Sequence, residues 1–259
     1  DATMNKYIEA AKKYINAATA ENTRRSYRAS IRHFDESGVE LPVLDSYSLI
    51  RYVTNQIEIL KGAYNHRTTL VRMAALKKWH LTQRWDDPTA DEQFVLFMKG
   101  VSREHAKTKR QAKALNLAEV SQLLSPLINS DKLADLRDKS LLLIGFLGGF
   151  RRSELVSLEM VDINWKSQGI VINLKRSKTD TTGKGIKKTI PYVNSHLCGV
   201  RALEEWLEAS NIKSGALFRK VDRNEFVHNK NLSAYSVNVI LKKTAERAGF
   251  TKDFIKSLS

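Results

Sequence analysis

Apolar residues in the first hundred positions recur three and four apart, in segments separated by turn formers, so the chain opens as a succession of amphipathic helices. Residues 4–18 place Tyr7, Ile8, Ala11, Tyr14 and Ile15 on one face. A second segment opens at Asn22-Thr23, residue types that cap helix starts, turns Tyr27, Ile31 and Phe34 inward and stops at Gly38. After Leu41-Pro42, Ser46 opens a third, with Leu49, Ile50, Val53, Ile57 and Leu60 inward and Gly62 at its end. Residues 65–83 form a fourth that buries Leu70, Met73, Leu76 and Trp79, and Asp86-Asp87-Pro88 breaks it. A further amphipathic segment from Asp91 carries Phe94, Val95, Phe97 and Met98. The pattern predicts an all-α bundle over residues 1–102.

The second half changes its period. Asn116 and Glu119 have capping-box spacing ahead of Val120, Leu123 and Leu124. A helix over residues 132–147 runs into a glycine pair, and another begins near Arg151 with Leu155 and Leu158. Residues 169–174 and 188–192 read as short strands joined by a lysine-dense, turn-rich loop. Helical spacing returns over 195–210, with Leu197, Val200, Leu203, Trp206 and Leu207 inward. Leu217-Phe218 suits a short strand, 219–230 reads as basic and irregular, and a helix over 233–248 closes at Gly249 as the last clear element. The expected fold is mostly α with a small β-sheet: a helical domain over 1–102, a basic linker over 103–114 and an α+β domain over 115–259.

Charge narrows the partners. The chain has 43 lysines and arginines against 28 acids, a formal charge of +15. Residues 1–112 carry 19 basic and 13 acidic side chains and residues 113–259 carry 24 and 15, so neither half is a detached charged tail. Such a balance favours a polyanion. Two helices repeat one arrangement, with Thr23, Arg24, Arg25, Arg28 and Arg32 on one and Arg67, Arg72, Lys77 and Lys78 on the other. A solvated face and a groove-binding face both fit it, and polar and basic first turns are what reach base edges and phosphates. Lys107, Lys109 and Arg110 lie in the linker, which reads either as a flexible tether or as a strap along a phosphate backbone. The single cysteine, Cys198, excludes an internal disulfide and a cysteine-based zinc cluster. No apolar run reaches about 18 residues and the N-terminus lacks a signal-peptide core, so an intracellular protein without a membrane partner is expected.

The stretch Gly148-Gly149-Phe150-Arg151-Arg152-Ser153-Glu154-Leu155 delivers two arginines and an acid at a helix start, directly after an apolar run. An arginine there reads either as half of a surface ion pair or as a fork held by Glu154 and aimed at an anion.

This element, with Val161-Asp162-Ile163 after it and Arg176-Ser177-Lys178-Thr179 on the strand loop, resembles the tyrosine recombinase (phage integrase) family over nearly the whole chain. The resemblance implies a SAM-like core-binding domain, the basic strap and a catalytic domain that together clamp duplex DNA. By position, Arg151 is similar to the family's first catalytic arginine, Glu154 to the acid that braces it, and Lys178 to the hairpin lysine that protonates the departing 5′ hydroxyl. A lysine-rich hairpin that only contacts phosphate is the competing reading of Lys178. The resemblance further implies inverted-repeat half-sites, a homotetramer in synapsis, a nucleoid-associated cytoplasmic setting, and chemistry with neither metal nor nucleotide cofactor. Helix starts at Thr23, Arg67 and Ser233 become candidates for the major groove. Lys107, Lys109, Arg110 and Arg176 become candidates for phosphates, with Lys242 and Lys243 on the outer side of the last helix. The family's His-x-x-Arg element and its tyrosine nucleophile have no counterpart, since none of the eight tyrosines stands in the nucleophile's place. The expectation is an incomplete catalytic domain that binds DNA without cleaving it; a non-enzymatic DNA-binding or architectural protein is the alternative.

Overall fold

The computed structural model describes residues 19–107, 112–174 and 185–258, which fall into two compact units, Asp1–Lys109 and Arg110–Ser259. The helix expected over 4–18 lies outside the described residues.

The first unit packs helices α1 (Glu21–Glu36), α2 (Ser46–Leu60), α3 (His66–Gln83) and α4 (Glu92–His105). Three of them start on a side-chain cap: Asp45 accepts from the Ser48 amide, Asn65 from that of Arg67 and Asp91 from that of Phe94. Each cap satisfies a donor the helix cannot pair, and is worth about 1 kcal/mol. The cap expected at Asn22-Thr23 is not used. Helix α1 begins at Glu21 behind Ala20, with no side-chain cap, and Glu21 in its first turn meets the positive end of the helix dipole instead.

Phe34, Leu49, Val53, Leu76 and Phe94 are buried together as the core of this unit. Leu60 and Leu70, expected inside, are 40% and 49% exposed. On α3 the inward positions go to His66, Thr69 and His80. His80 is held there because its Nε2 accepts from the Val43 amide at 3.2 Å while its Nδ1–H donates to the Asp86 carbonyl at 2.8 Å. Helix α4 continues to His105, three residues into the expected linker, because Val101 is buried and the basic last turn suits the C-terminal end of the dipole.

The second unit holds α5 (Leu117–Leu124), α6 (Leu133–Leu147), α7 (Arg152–Val156), β1 (Ile163–Lys166), β2 (Gly169–Leu174), β3 (Ile186–Pro191), α8 (Gly199–Ser210), β4 (Arg219–Val221), β5 (Val227–Asn231), α9 (Ala234–Arg247) and α10 (Lys252–Ser257). The Asn116–Glu119 capping box is present. Strands β1, β2 and β3 make an antiparallel sheet in that order, with Ile170 opposite Ile190 and Ile172 opposite Lys188. Its inner face meets α6 and α8 around Leu141, Ile144, Leu203 and Trp206, whose indole donates to the Leu217 carbonyl at 3.0 Å.

The structure corrects several sequence expectations here. β1 was not anticipated, because only Ile163 of its four residues is buried and no alternation shows. α8 begins at Gly199, behind a turn through Ser195 to Cys198, and not at 195. Residues 219–230, read as irregular, contain the β4–β5 hairpin, whose turn is fixed by the Asp222 side chain accepting from the Asn224 and Phe226 amides. α10 follows Gly249, capped by Thr251.

A long-range ion pair joins α9 to α6: Arg247 donates to both oxygens of Asp135 at the start of α6, at 2.7 and 3.0 Å, and Ser130 adds a third bond at 2.7 Å. The Arg247 hydrogen bond holds the Asp135 carboxyl below its usual range. Because Asp135 is buried and Arg247 half-exposed, removing the guanidinium strands the acid. Arg247→Ala is predicted to destabilise this unit by about 2 kcal/mol, read as a lower urea midpoint; a loss under about 0.5 kcal/mol contradicts the role of the pair.

Candidate functional site

The apolar helix α6 ends in a reversal made of two glycines. The Gly148, Gly149 and Phe150 amides donate back to the carbonyls of Ile144, Phe146 and Gly145 at 3.0, 3.2 and 3.1 Å, closing the last turn. Gly149 stands at φ 55°, in the left-handed region, and a Cβ on Gly148 would lie 2.2 Å from the Phe150 ring. The chain therefore emerges at Arg151 in one direction, extended, and enters α7 immediately.

At that point Glu154 closes a local loop. Its Oε2 accepts the Arg151 backbone N–H at 2.9 Å and its Oε1 accepts from Arg151 Nη1 at 2.7 Å. Side-chain exposure is 9% for Glu154 and 47% for Arg151, so a buried carboxylate holds a guanidinium that reaches solvent. A buried acid demands such pairing, and the bond from Nη1 to Oε1 fixes the orientation of the guanidinium plane. What this arrangement can do chemically is hold positive charge, without rearrangement, where an oxyanion would sit. Of the three residues assigned catalytic roles from sequence, Arg151 and Glu154 are brought together; Lys178, and with it Arg176, lies outside the described residues.

The basic positions of the first unit separate into different environments. Arg25, Arg28 and Arg67 are exposed, Thr23 is half-buried in the first turn of α1, and Arg67 occupies the first turn of α3. Arg24 and Arg28 both reach Glu21, at 2.5 and 3.0 Å. Arg72 turns into the packing: its Nη1 donates to the Tyr52 hydroxyl at 3.0 Å and to Gln56 Oε1 at 3.4 Å. Lys107 donates to the Gly62 carbonyl at 3.2 Å, while Lys109 and Arg110 lie outside the described residues. On α9 of the second unit, Lys243 is exposed and Lys242 half-buried. Among the described residues no group of three or more histidines, cysteines, aspartates and glutamates is placed to hold a metal ion, and no helix is long and apolar enough to cross a membrane.

Sequence reading missed the polar network around Arg72 and the contact of Lys188 Nζ with the Gly148 and Gly149 carbonyls at the end of α6, at 2.5 and 2.9 Å. The signal for the first was Tyr52 and Gln56 at inward helical positions beside Leu49 and Val53. For the second it was a helix ending in two glycines, whose last carbonyls call for a cation.

Compared with known proteins, residues 113–256 match a profile described as the phage integrase family. The chain is 32% identical over 243 residues to an integrase/recombinase xerD homolog of Selenomonas ruminantium, covering 92% of this chain and 71% of that protein. It is 25% identical over 248 residues to the tyrosine recombinase XerA of Thermococcus onnurineus, covering 95% of this chain and 76% of that one. Among solved structures, a lambda integrase dimer bound to a COC′ core site is similar in fold, with a TM-score of 0.59 at 13% identity over 98% of this chain and 67% of that chain. The XerH site-specific recombinase bound to difH substrate is similar at a TM-score of 0.55 and 14% identity, over 91% and 66% of the two chains.

The Arg72 network has a pH consequence. The Tyr52 and Ser37 hydroxyls meet His33 Nδ1 at 3.0 and 3.2 Å. Because Arg72 fills the Tyr52 oxygen as a donor, Tyr52 donates onward and His33 accepts, in its neutral form. Burial, then the Arg72 charge, holds the His33 pKa below its ordinary value, and burial followed by the charge of His105 does the same to His66. A depressed imidazole binds fewer protons folded than unfolded, so its contribution is complete above the unfolded pKa and lost as pH falls through the folded one. The urea midpoint of the first unit, followed through the NMR signals of α1–α3, should drop as the pH is lowered from neutrality through and below the ordinary imidazole value of about 6.5. His33→Gln should blunt the drop, and a midpoint flat across that interval contradicts the network.

Proposed function

Since the chain belongs to the phage integrase family, we propose that it binds duplex half-sites through both basic units and supplies, in Arg151, the guanidinium that neutralises a backbone phosphate during site-specific strand exchange. The observation that carries this reading is the Glu154 carboxylate, buried and bonded to both the amide and the side chain of Arg151. Attack on a phosphodiester loads negative charge onto the non-bridging oxygens, and a preset guanidinium stabilises that charge without reorganisation. In the same reading Lys178 protonates the departing 5′ oxygen as general acid. The broken bond's energy is conserved in a 3′-phosphotyrosine ester, so rejoining draws on no nucleotide. None of the tyrosines of residues 1–259 is assigned as that nucleophile.

The binding part of the proposal rests on Arg25, Arg28 and Arg67, which are exposed on helices, with Thr23 and the start of α9 as further candidates for the major groove. Arg24 and Arg28 share Glu21, Arg24 being the less exposed of the two, and Arg72 braces the unit from within. Lys109, Arg110 and Arg176 are proposed phosphate contacts, with Lys107, Lys242 and Lys243 in support. Two pairs of protomers on inverted half-sites would make the synaptic tetramer.

Two measurements test this. A polypeptide of residues 1–259 should bind duplex DNA with strong salt dependence and leave no covalent adduct on a nicked suicide substrate. Arg67→Ala should lower the log–log salt slope by about 1; salt-independent binding contradicts the interface, and an adduct shows that one of these tyrosines is the nucleophile. In a polypeptide that also carries the nucleophilic tyrosine, Arg151→Ala should cut adduct formation by about a hundredfold or more with duplex affinity nearly intact. Unchanged cleavage would overturn the Arg151 assignment.

A further inference from the structure

We propose that Lys188 is the positioning residue for Arg151, an inference that rests on the role given to Arg151 above. Lys188 sits on β3 opposite Ile172, and its side chain leaves the sheet for the end of α6. Its Nζ donates to the Gly148 carbonyl at 2.5 Å and to the Gly149 carbonyl at 2.9 Å, and lies 4.6 Å from the centre of the Phe150 ring. Those three residues are consecutive and end directly on Arg151.

Three features make this a clamp and not a chance contact. A paired glycine turn loses more backbone freedom on ordering than any other sequence, so it needs something to hold it. The two carbonyls follow the last turn of α6, where the helix dipole is negative and a cation is favoured. The Phe150 ring, folded back over Gly148, offers its face to the same ammonium. Arg151 is thus fixed from both sides: Lys188 holds the carbonyls that precede it and Glu154 holds its own amide. Two of the three Lys188 donors are spent on the protein backbone, which makes this lysine a brace for the arginine and not a partner for phosphate.

The test uses the 259-residue chain. Lys188→Met keeps the length of the side chain and removes the charge. Amide hydrogen exchange at Phe150 and Arg151 should accelerate about tenfold in this variant, with Leu143 and Leu203 unchanged. The Arg151 Nε–H signal should broaden, and Lys188→Arg, which can still donate to both carbonyls, should restore both readouts. The salt slope of duplex binding should not move. Exchange at Arg151 as slow as in the unaltered chain would overturn the proposal, and a slope lower by about 1 would overturn it by marking Lys188 as a phosphate contact. Should Lys188→Met lose protection at Leu143 and Leu203 as well, Lys188→Gln decides: faster exchange confined to the turn supports the clamp, and wild-type exchange overturns it. Failure of these arms removes Lys188 and leaves the Arg151 assignment in place. Failure of that assignment appears instead as cleavage unaffected by Arg151→Ala, with the exchange response of the turn unaltered.

Discussion

A carboxylate as buried as that of Glu154 persists only if its oxygens are filled, and both are filled by one residue three positions earlier. The backbone that carries Arg151 turns sharply out of α6 and enters α7 within a few residues. The turn requires a residue at positive φ and a neighbour without Cβ, which are Gly149 and Gly148. Gly145, one turn earlier, lets α6 and α7 approach closely, since a Cβ there would stand 2.9 Å from the Leu155 side chain.

Rigidity around this pair is supplied by the core. Leu155 and Leu158 anchor α7 and the segment after it among Leu141, Ile144 and Ile170, so the charged face of a five-residue helix, too short to be stable alone, is held by its apolar one. The sheet contributes Lys188 from its third strand, and α9 is fastened to the start of α6 by Arg247 and Asp135. A guanidinium placed this way needs no further ordering when an anion arrives, which is the condition under which an electrostatic contact is most effective in a reaction.

Much of this was legible in the sequence because it is local. Helix periodicity, the Asn116–Glu119 capping box and the three-residue spacing of Arg151 and Glu154 are each read within one turn. What was misread depends on distant neighbours. Leu70 looks like a core leucine until His66, Thr69 and His80 take the inward positions of α3, and His80 takes its place through Val43, 37 residues away. Arg72 looks like a surface base until Tyr52 and Gln56 of α2 accept from it. Lys188 is one of several lysines in its stretch, and only the pairing of β3 with β2 aims it at the end of α6. The strands β1, β4 and β5 are short and mostly half-buried or exposed, so they leave almost no periodic trace.

The most direct trial of the central claim is the structure of this chain on a duplex selected for tight binding. The Arg151–Glu154 bonds should survive, with the Arg151 guanidinium donating to a non-bridging oxygen of a backbone phosphate. An Arg151 turned away from the duplex, or a Glu154 carboxylate released from it on binding, would contradict the account.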